Sequence, residues 1–236
     1  MFVDAKCGVG AGAGADRYTG TGHGRISNAL KNDGTAELHI RATTGLFRCG
    51  VIGLCGVSRA ASLLPVTDLQ TPRLCLHAID TAEGERIVGR RAGAGDAWAE
   101  DFPFDGDVIG VTAFLTATAA HGDQRPFGHY RITRTADGKA IGGIGFKGQP
   151  DDGCVEVGYG LAPSARSHGY AAEALVALLK VAADHGMSRV VADTTGDNVA
   201  SQRTLERAGF RRIGTNADLY LYEVLLDAPS RPAQTQ

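Results

Sequence analysis

The stretch Val157-Gly158-Tyr159-Gly160-Leu161-Ala162-Pro163-Ser164-Ala165-Arg166-Ser167-His168-Gly169-Tyr170-Ala171 decides how the chain is read. Its first five residues close a strand that runs from Cys154 to Leu161, and a short loop follows. From Tyr170 to His185 the residues Ala171, Ala174, Leu175, Leu178 and Leu179 recur at helical spacing, and Gly186 ends the helix. A strand, a loop and a helix start in that order leave unsatisfied backbone N–H groups at the positive end of a helix dipole, which suits an anion such as a pyrophosphate. Gly169 lets a ligand approach the backbone, Arg166 adds a permanent positive charge, and the small Ala171 and Ala172 keep the first turn clear. An ordinary strand-to-helix connection with a turning glycine is the plain alternative for the same residues.

Working outward, the segments on both sides predict a sheet with helices. Gly128 to Arg134 and Lys139 to Phe146 alternate about the turn Ala136-Asp137-Gly138, and the loop Gly148 to Gly153 leads into the strand above, so three strands follow one another as a meander. Upstream, Thr71 to His77 alternates as a half-buried strand, and Asp80 to Arg91 reads as a helix opened by Asp80. Phe102 to Thr118 is apolar and helical in part, with Gly106 and Gly110 arguing against one continuous helix. Downstream come a strand at Ser188 to Thr194, a short helix at Asn198 to Arg207, and two strands near Phe210 to Gly214 and Leu219 to Leu225. The expectation is an α+β domain over residues 65–226.

The remainder reads differently. Residues 1 to 60 hold 12 glycines and 7 basic against 4 acidic side chains, without a sustained hydrophobic period, so residues 1–64 are expected to be a Gly-rich disordered extension. Its Gly8 to Ala15 run contains a GxG with neither a strand before it nor an amphipathic helix after it, which argues against a dinucleotide fingerprint. Residues 227–236 are expected to form a flexible tail.

Composition narrows the function classes. The chain has 236 residues and a net charge of −2, so no global positive field favours nucleic acid, and no apolar run reaches the ~18 residues of a membrane-spanning helix. Cys7, Cys49, Cys55, Cys75 and Cys154 form no CxxC pair, so a zinc knuckle lacks its spacing and no metal is expected. That odd count, with no apolar stretch behind a basic start in Met1 to Gly10, leads to the expectation of a cytoplasmic protein.

Arg166-x-x-Gly169-x-Ala171 resembles the acetyl-CoA signature of the GNAT superfamily of N-acetyltransferases, and it lies between a strand and a helix as that family has it. The likeness extends over roughly residues 66–226. Thr71-Pro72-Arg73-Leu74-x-Leu76, Ile141-Gly142-Gly143-Ile144-Gly145-Phe146, Glu156-Val157-Gly158-Tyr159-Gly160, Asn198-x-x-Ser201 and Leu205-Glu206-x-Ala208-Gly209-Phe210 are similar to the subgroup of ribosomal-protein N-terminal (alanine or serine) acetyltransferases. The resemblance implies a GNAT-like acyl-CoA N-acyltransferase fold, a mixed central sheet splayed between its fourth and fifth strands with helices on both faces.

The same resemblance implies acetyl-CoA as co-substrate. Its pantetheine arm would lie in the gap and pair with backbone near Leu161 and Ala162, with its diphosphate on Arg166, Ser167, His168, Gly169, Tyr170 and Ala171. Asn198 would hold the pantetheine, and it also suits a helix N-cap. The partner would be an amine substrate, either a protein N-terminus or a small molecule, with no nucleic acid or membrane, and the chain a monomer or homodimer. An acceptor ammonium must lose a proton before it can attack a thioester carbonyl. Val155, Val157, Tyr159 and Leu161 form one apolar face of their strand, which sets Glu156 on the other face as the candidate proton acceptor; a solvated strand glutamate is the alternative. Many members of the superfamily protonate the CoA thiolate with a tyrosine, where this chain has Leu205; Ser201 is then the candidate, and a CoA-contacting or helix-surface serine is the other reading. A non-catalytic acyl-CoA-binding sensor is the rival function.

Overall fold

A computed structural model of the chain describes residues 68–226, so the expectations for residues 1–64 and 227–236 fall outside the described residues. Eight strands and four α-helices follow in chain order: β1 (Leu69–Gln70), β2 (Leu74–Ala78), α1 (Thr81–Val88), α2 (Asp105–His121), β3 (His129–Arg134), β4 (Lys139–Phe146), β5 (Cys154–Leu161), α3 (Tyr170–Asp184), β6 (Arg189–Thr195), α4 (Val199–Arg207), β7 (Arg211–Asn216) and β8 (Leu219–Leu225). A single turn of 3-10 helix, Pro163–Ala165, joins β5 to α3. The strands form one sheet in the order β1-β2-β3-β4-β5-β6-β8-β7, antiparallel throughout except for the parallel pair β5 and β6. Because the short β1 precedes the expected first strand, the expected fourth and fifth strands are β5 and β6.

Local chemistry accounts for most element ends. Asp80 caps α1 by accepting from the Glu83 N–H at 2.8 Å, and Asn198 caps α4 by accepting from the Ser201 N–H at 3.1 Å. Gly138 turns the β3–β4 hairpin at φ 69°, and Gly186 stops α3 at φ 79°. Two expectations need correction. Thr71, Pro72 and Arg73 lie in the turn between β1 and β2, not in the strand, because Thr71 Oγ1 closes the turn with the Leu74 N–H at 2.9 Å. The segment around Gly106 and Gly110 is one unbroken 17-residue helix, and there packing overrides glycine's poor helix propensity. That helix is apolar on two sides, with Val111 buried in the core and Ile109, Ala113, Phe114 and Ala117 lining a cavity, which erased the amphipathic pattern.

The two faces of the sheet differ in chemistry. Strand alternation puts Leu74, Leu76, Ile132, Ile144, Phe146, Val157 and Leu161 on the face covered by α3, whose Leu175 and Leu178 are fully buried. Burial of each such side chain contributes roughly 1.5–3 kcal/mol. The opposite face, under α1 and α2, carries His77, Arg131, His129, Lys147 and Glu156, and two rungs of facing glycines, Gly143 with Gly160 and Gly145 with Gly158. Side chains from elsewhere fill the trough those glycines leave. A Cβ on Gly160 would collide with the Phe104 ring, and one on Gly158 would touch the Lys147 stem at 3.0 Å.

Candidate active site

The parallel pair sets the site. β5 and β6 share three rungs, Cys154 with Arg189, Val155 with Val190 and Glu156 with Val191, and then part, while β6 continues on β8 as far as Thr195. Glu156 therefore stands at the apex of a fork. The Lys147 N–H donates to the Glu156 carbonyl at 2.8 Å and the Ala162 N–H to the Ile141 carbonyl at 2.9 Å, so these residues turn their main chain toward β4. Alternation aims the main-chain groups of Tyr159 and Leu161 the other way, into the gap. Ala162 thus has no free N–H to offer an arm lying there. Of the expected Leu161–Ala162 pair, Leu161 is the one facing the gap, and its carbonyl already accepts from Arg166 Nε at 3.0 Å.

A cavity of about 560 Å³ runs through the fork. It brings Glu156, Asn198 and Ser201 together with Tyr159, Lys147, Asp193 and His129. Glu156 is nearly buried and ion-paired: Lys147 Nζ lies 2.6 Å from its Oε1 and 2.9 Å from Asp193 Oδ1. Burial alone would lower the Lys147 pKa, but the two carboxylates outweigh it and the pKa is raised, so the lysine remains a cation. On the other face of β5 the Tyr159 Oη lies 2.9 Å from Ser201 Oγ. Burial pushes the Tyr159 pKa up to about 12, against hydrogen bonding to Ser201 and Thr204, so its phenol keeps its proton at neutral pH.

In the sequence, Tyr159 stands on an apolar strand face and within the Glu156–Gly160 motif, with no chemical role attached. The missed signal was the phenol itself, which needs a partner when half-buried. Leu205 is fully buried in the core, so its side chain takes no part in the site.

The expected anion cradle lies apart from the cavity-lining residues, at the start of α3. Gly169 is left-handed at φ 79° and Ser167 at φ 66°, a succession that turns the chain so that α3 begins without a side-chain cap. The N–H groups of Ser167 through Ala172 make no hydrogen bond among the described residues. Arg73 joins the cradle from the β1–β2 turn. Its guanidinium donates to the His168 carbonyl at 3.0 Å and to Glu173 Oε2 at 2.7 Å, and it lies 4.8 Å from the Tyr170 ring centre. His168 stacks on Tyr170, with its Nδ1 2.6 Å from the Arg166 carbonyl. Arg166 itself lies over the Phe104 ring at 5.5 Å, so its charge sits beside the end of β5.

These features fit an acyl-CoA. Free N–H groups, a left-handed glycine without a Cβ, and two guanidiniums suit a diphosphate, while the open edge at Tyr159 and Leu161 suits an extended amide-bearing arm. Asn198 uses its Oδ1 in the cap and retains its amide donors toward the cavity it lines.

Comparison with known proteins agrees with this geometry. The uncharacterized N-acetyltransferase YjdG of Bacillus subtilis (strain 168) is 37% identical over 102 residues, which is 42% of this chain and 61% of that relative; the chain thus covers less than two thirds of its length. Two solved structures share the fold. The ribosomal-protein-S5-alanine acetyltransferase from Vibrio fischeri matches at 13% identity and a TM-score of 0.52, over 70% of this chain and all of that one. The ribosomal L7/L12 alpha-N-protein acetyltransferase RimL, solved in complex with coenzyme A, matches at 20% identity and 0.51, over 68% of this chain and 99% of that one. The model of the acetyltransferase (GNAT) domain matches residues 73–211, a span that takes in the cradle, both lips of the fork and the helix behind them, and by that match the chain belongs to the GNAT acetyltransferase family.

Proposed function

We propose that this chain is an acetyl-CoA-dependent N-acetyltransferase that moves an acetyl group to a primary amine by direct attack in a ternary complex. The observation that carries the reading is the fork between β5 and β6, which has acid–base groups on its two faces: Glu156 toward α2, Tyr159 with Ser201 toward α4. Acetyl-CoA supplies an activated acyl group as a thioester. The chain's own residues do the rest. The free N–H groups from Ser167 to Ala172, with Arg73 and Arg166, hold the diphosphate. Tyr159 and Leu161 align the arm by their main chain, and Asn198 steadies it. Glu156 takes the proton of the incoming ammonium, directly or through a water, while Lys147 keeps the carboxylate in place. The Tyr159–Ser201 pair offers a proton at the departing sulfur.

The acceptor is a protein N-terminal α-amine or a small-molecule amine; the motifs quoted above favour the ribosomal-protein subgroup. We place the protein in the cytoplasm, as a monomer or homodimer. The ion pair of Glu156 with Lys147 favours a second reading, an acyl-CoA sensor without turnover, because a carboxylate neutralised by a cation is a weaker base. Calorimetry with acetyl-CoA, followed by an amine panel monitored through free thiol for native protein and Glu156→Gln, tests both. Steady thiol release that falls in the variant supports the enzyme, tight binding without release supports the sensor, and absence of binding rejects both.

A further inference from the structure

We propose that His129 is the side chain that meets the acceptor amine, and that the α2 half of the cavity selects primary amines carried on an apolar, aromatic body. The proposal deepens the acetyltransferase reading above and rests on it. His129 opens β3 on the same sheet face as Glu156 and lines the same cavity. Its ring occupies a slot made by glycines. A Cβ on Gly143 would fall 2.5 Å from Nε2, one on Gly145 3.0 Å from Nδ1, and one on Gly110 of α2 3.3 Å from Cε1. Any larger residue at these positions would displace the imidazole. Such a slot holds the ring in one orientation, as a binding group requires.

Neither ring nitrogen has a hydrogen-bond partner among the described residues. Burial pushes the His129 pKa down to about 4, so at neutral pH the ring is uncharged and one nitrogen keeps its lone pair. A second potential acceptor lies beside it. Asp107 is 3% exposed, its Oδ2 accepts from the Phe104 N–H at 3.1 Å, and its buried Oδ1 has no partner. That oxygen lies 3.2 Å from the point above Gly143 that the His129 ring crowds. An uncharged imidazole and a buried carboxyl oxygen side by side form a site for a donor-rich cationic group, which would hold ionised a carboxyl whose pKa burial raises to about 7, and an ammonium is such a group.

The two other carboxylates of the cavity, Glu156 and Asp193, already share the Lys147 cation. The remaining α2-side wall is Ile109, Ala113, Phe114, Ala117, Gln124 and Phe127, apolar and aromatic apart from the Gln124 amide, which is engaged by its own hydrogen bonds, and without charge. An amine with an aromatic body satisfies both halves; a flexible diamine would bring its second charge against the apolar wall.

The test uses the full chain labelled with 13C at histidine Cε1, with the His129 resonance assigned by its loss in His129→Gln. Phenethylamine and putrescine are titrated as probes. Phenethylamine is expected to shift the His129 resonance saturably, with putrescine at least tenfold weaker. His129→Ala is expected to weaken phenethylamine binding by at least tenfold, followed by calorimetry, and His129→Gln to restore part of it, because the amide oxygen can accept the same hydrogen bond. Unchanged acetyl-CoA affinity in both variants shows that the fold and the cradle are intact. No shift at saturating phenethylamine, equal binding of putrescine, or unchanged amine affinity in His129→Ala overturns the proposal. Failure of the native chain to bind acetyl-CoA would reject the acetyltransferase reading on its own, leaving the amine titration to decide the role of His129.

Discussion

Tyr159 and Ser201 meet across the fork: the phenol from β5 and the hydroxyl from α4 lie 2.9 Å apart, on the face of β5 opposite Glu156. Their hydrogen bond joins β5, beyond the point where it parts from β6, to the helix that follows β6. It therefore clamps the open end of the fork, and both hydroxyl-bearing residues line the cavity.

If the pair protonates the departing sulfur, Tyr159→Phe should lower the single-turnover acetyl-transfer rate about a hundredfold. Acetyl-CoA affinity should change little. The double variant Tyr159→Phe/Ser201→Ala should be no slower than the worse single one, because the two hydroxyls act as a unit. Fully additive losses, or an unaltered rate in Tyr159→Phe, would remove the pair from the chemistry.

Lys147 answers two carboxylates at the apex, and its loss removes that cation from both. Lys147→Met should cost about 3 kcal/mol in urea unfolding, the low end for a broken buried pair because the lysine is 29% exposed. Adding Glu156→Gln to that variant should recover part of the loss by removing one of the two carboxylates that lost the lysine. A double variant as unstable as the sum of the singles would contradict the charge account.

Two glycines should fail in different ways. Gly169→Ala forces a left-handed residue at φ 79° at a cost of about 1 kcal/mol and sets a methyl group beside the cradle, so acetyl-CoA affinity should fall at least tenfold while the fold persists. Gly142→Ala would drive its Cβ into the Gly160 carbonyl oxygen across the β4–β5 ladder, so stability should fall first. Calorimetry paired with thermal unfolding separates the two effects.

Asp107 and His129 should give opposing pH dependences of stability. Burial raises the Asp107 pKa to about 7, so between the unfolded value of 3.8 and about 7 the folded chain holds a proton that the unfolded chain has released, and stability falls as pH rises. Burial lowers the His129 pKa to about 4, so between about 4 and 6.5 the unfolded chain holds the extra proton, and stability rises with pH. In the native protein the slopes offset each other across that window. Asp107→Asn should therefore expose a rising slope between about pH 4 and 6.5, and above about pH 7 it should gain on the native protein by up to a few kcal/mol. Urea unfolding across this range, with parallel curves for the two proteins as the contrary outcome, checks it.

Much of the fold is legible along the chain because its signals are short-range. Asp80 and Asn198 cap helices by bonding to N–H groups three residues on, Gly138 and Gly186 turn the backbone where they stand, and the bounds of β4, β5 and β8 follow from alternation. The loop from Arg166 to Ala171 belongs to the same class, since a left-handed glycine and the helix it opens carry their own dipole and N–H groups. Helix α2 was harder, because a helix with one face on a core and the other on a cavity has no polar side to betray its period.

The chemistry of the site depended on contacts between distant segments. Arg73 reaches Glu173 across 100 residues to brace the cradle, Lys147 reaches Asp193 across 46, and Tyr159 finds Ser201 across 42. Nothing in the residues near Glu156 announces that a lysine neutralises it, nor does the setting of His129 in its own strand reveal a glycine slot built from β4 and α2. Capping, turning and alternation are settled by neighbours within a few positions. Charge pairing, burial and the lie of a ring in a cavity depend on which strands stand side by side, and that is decided only when the whole sheet packs.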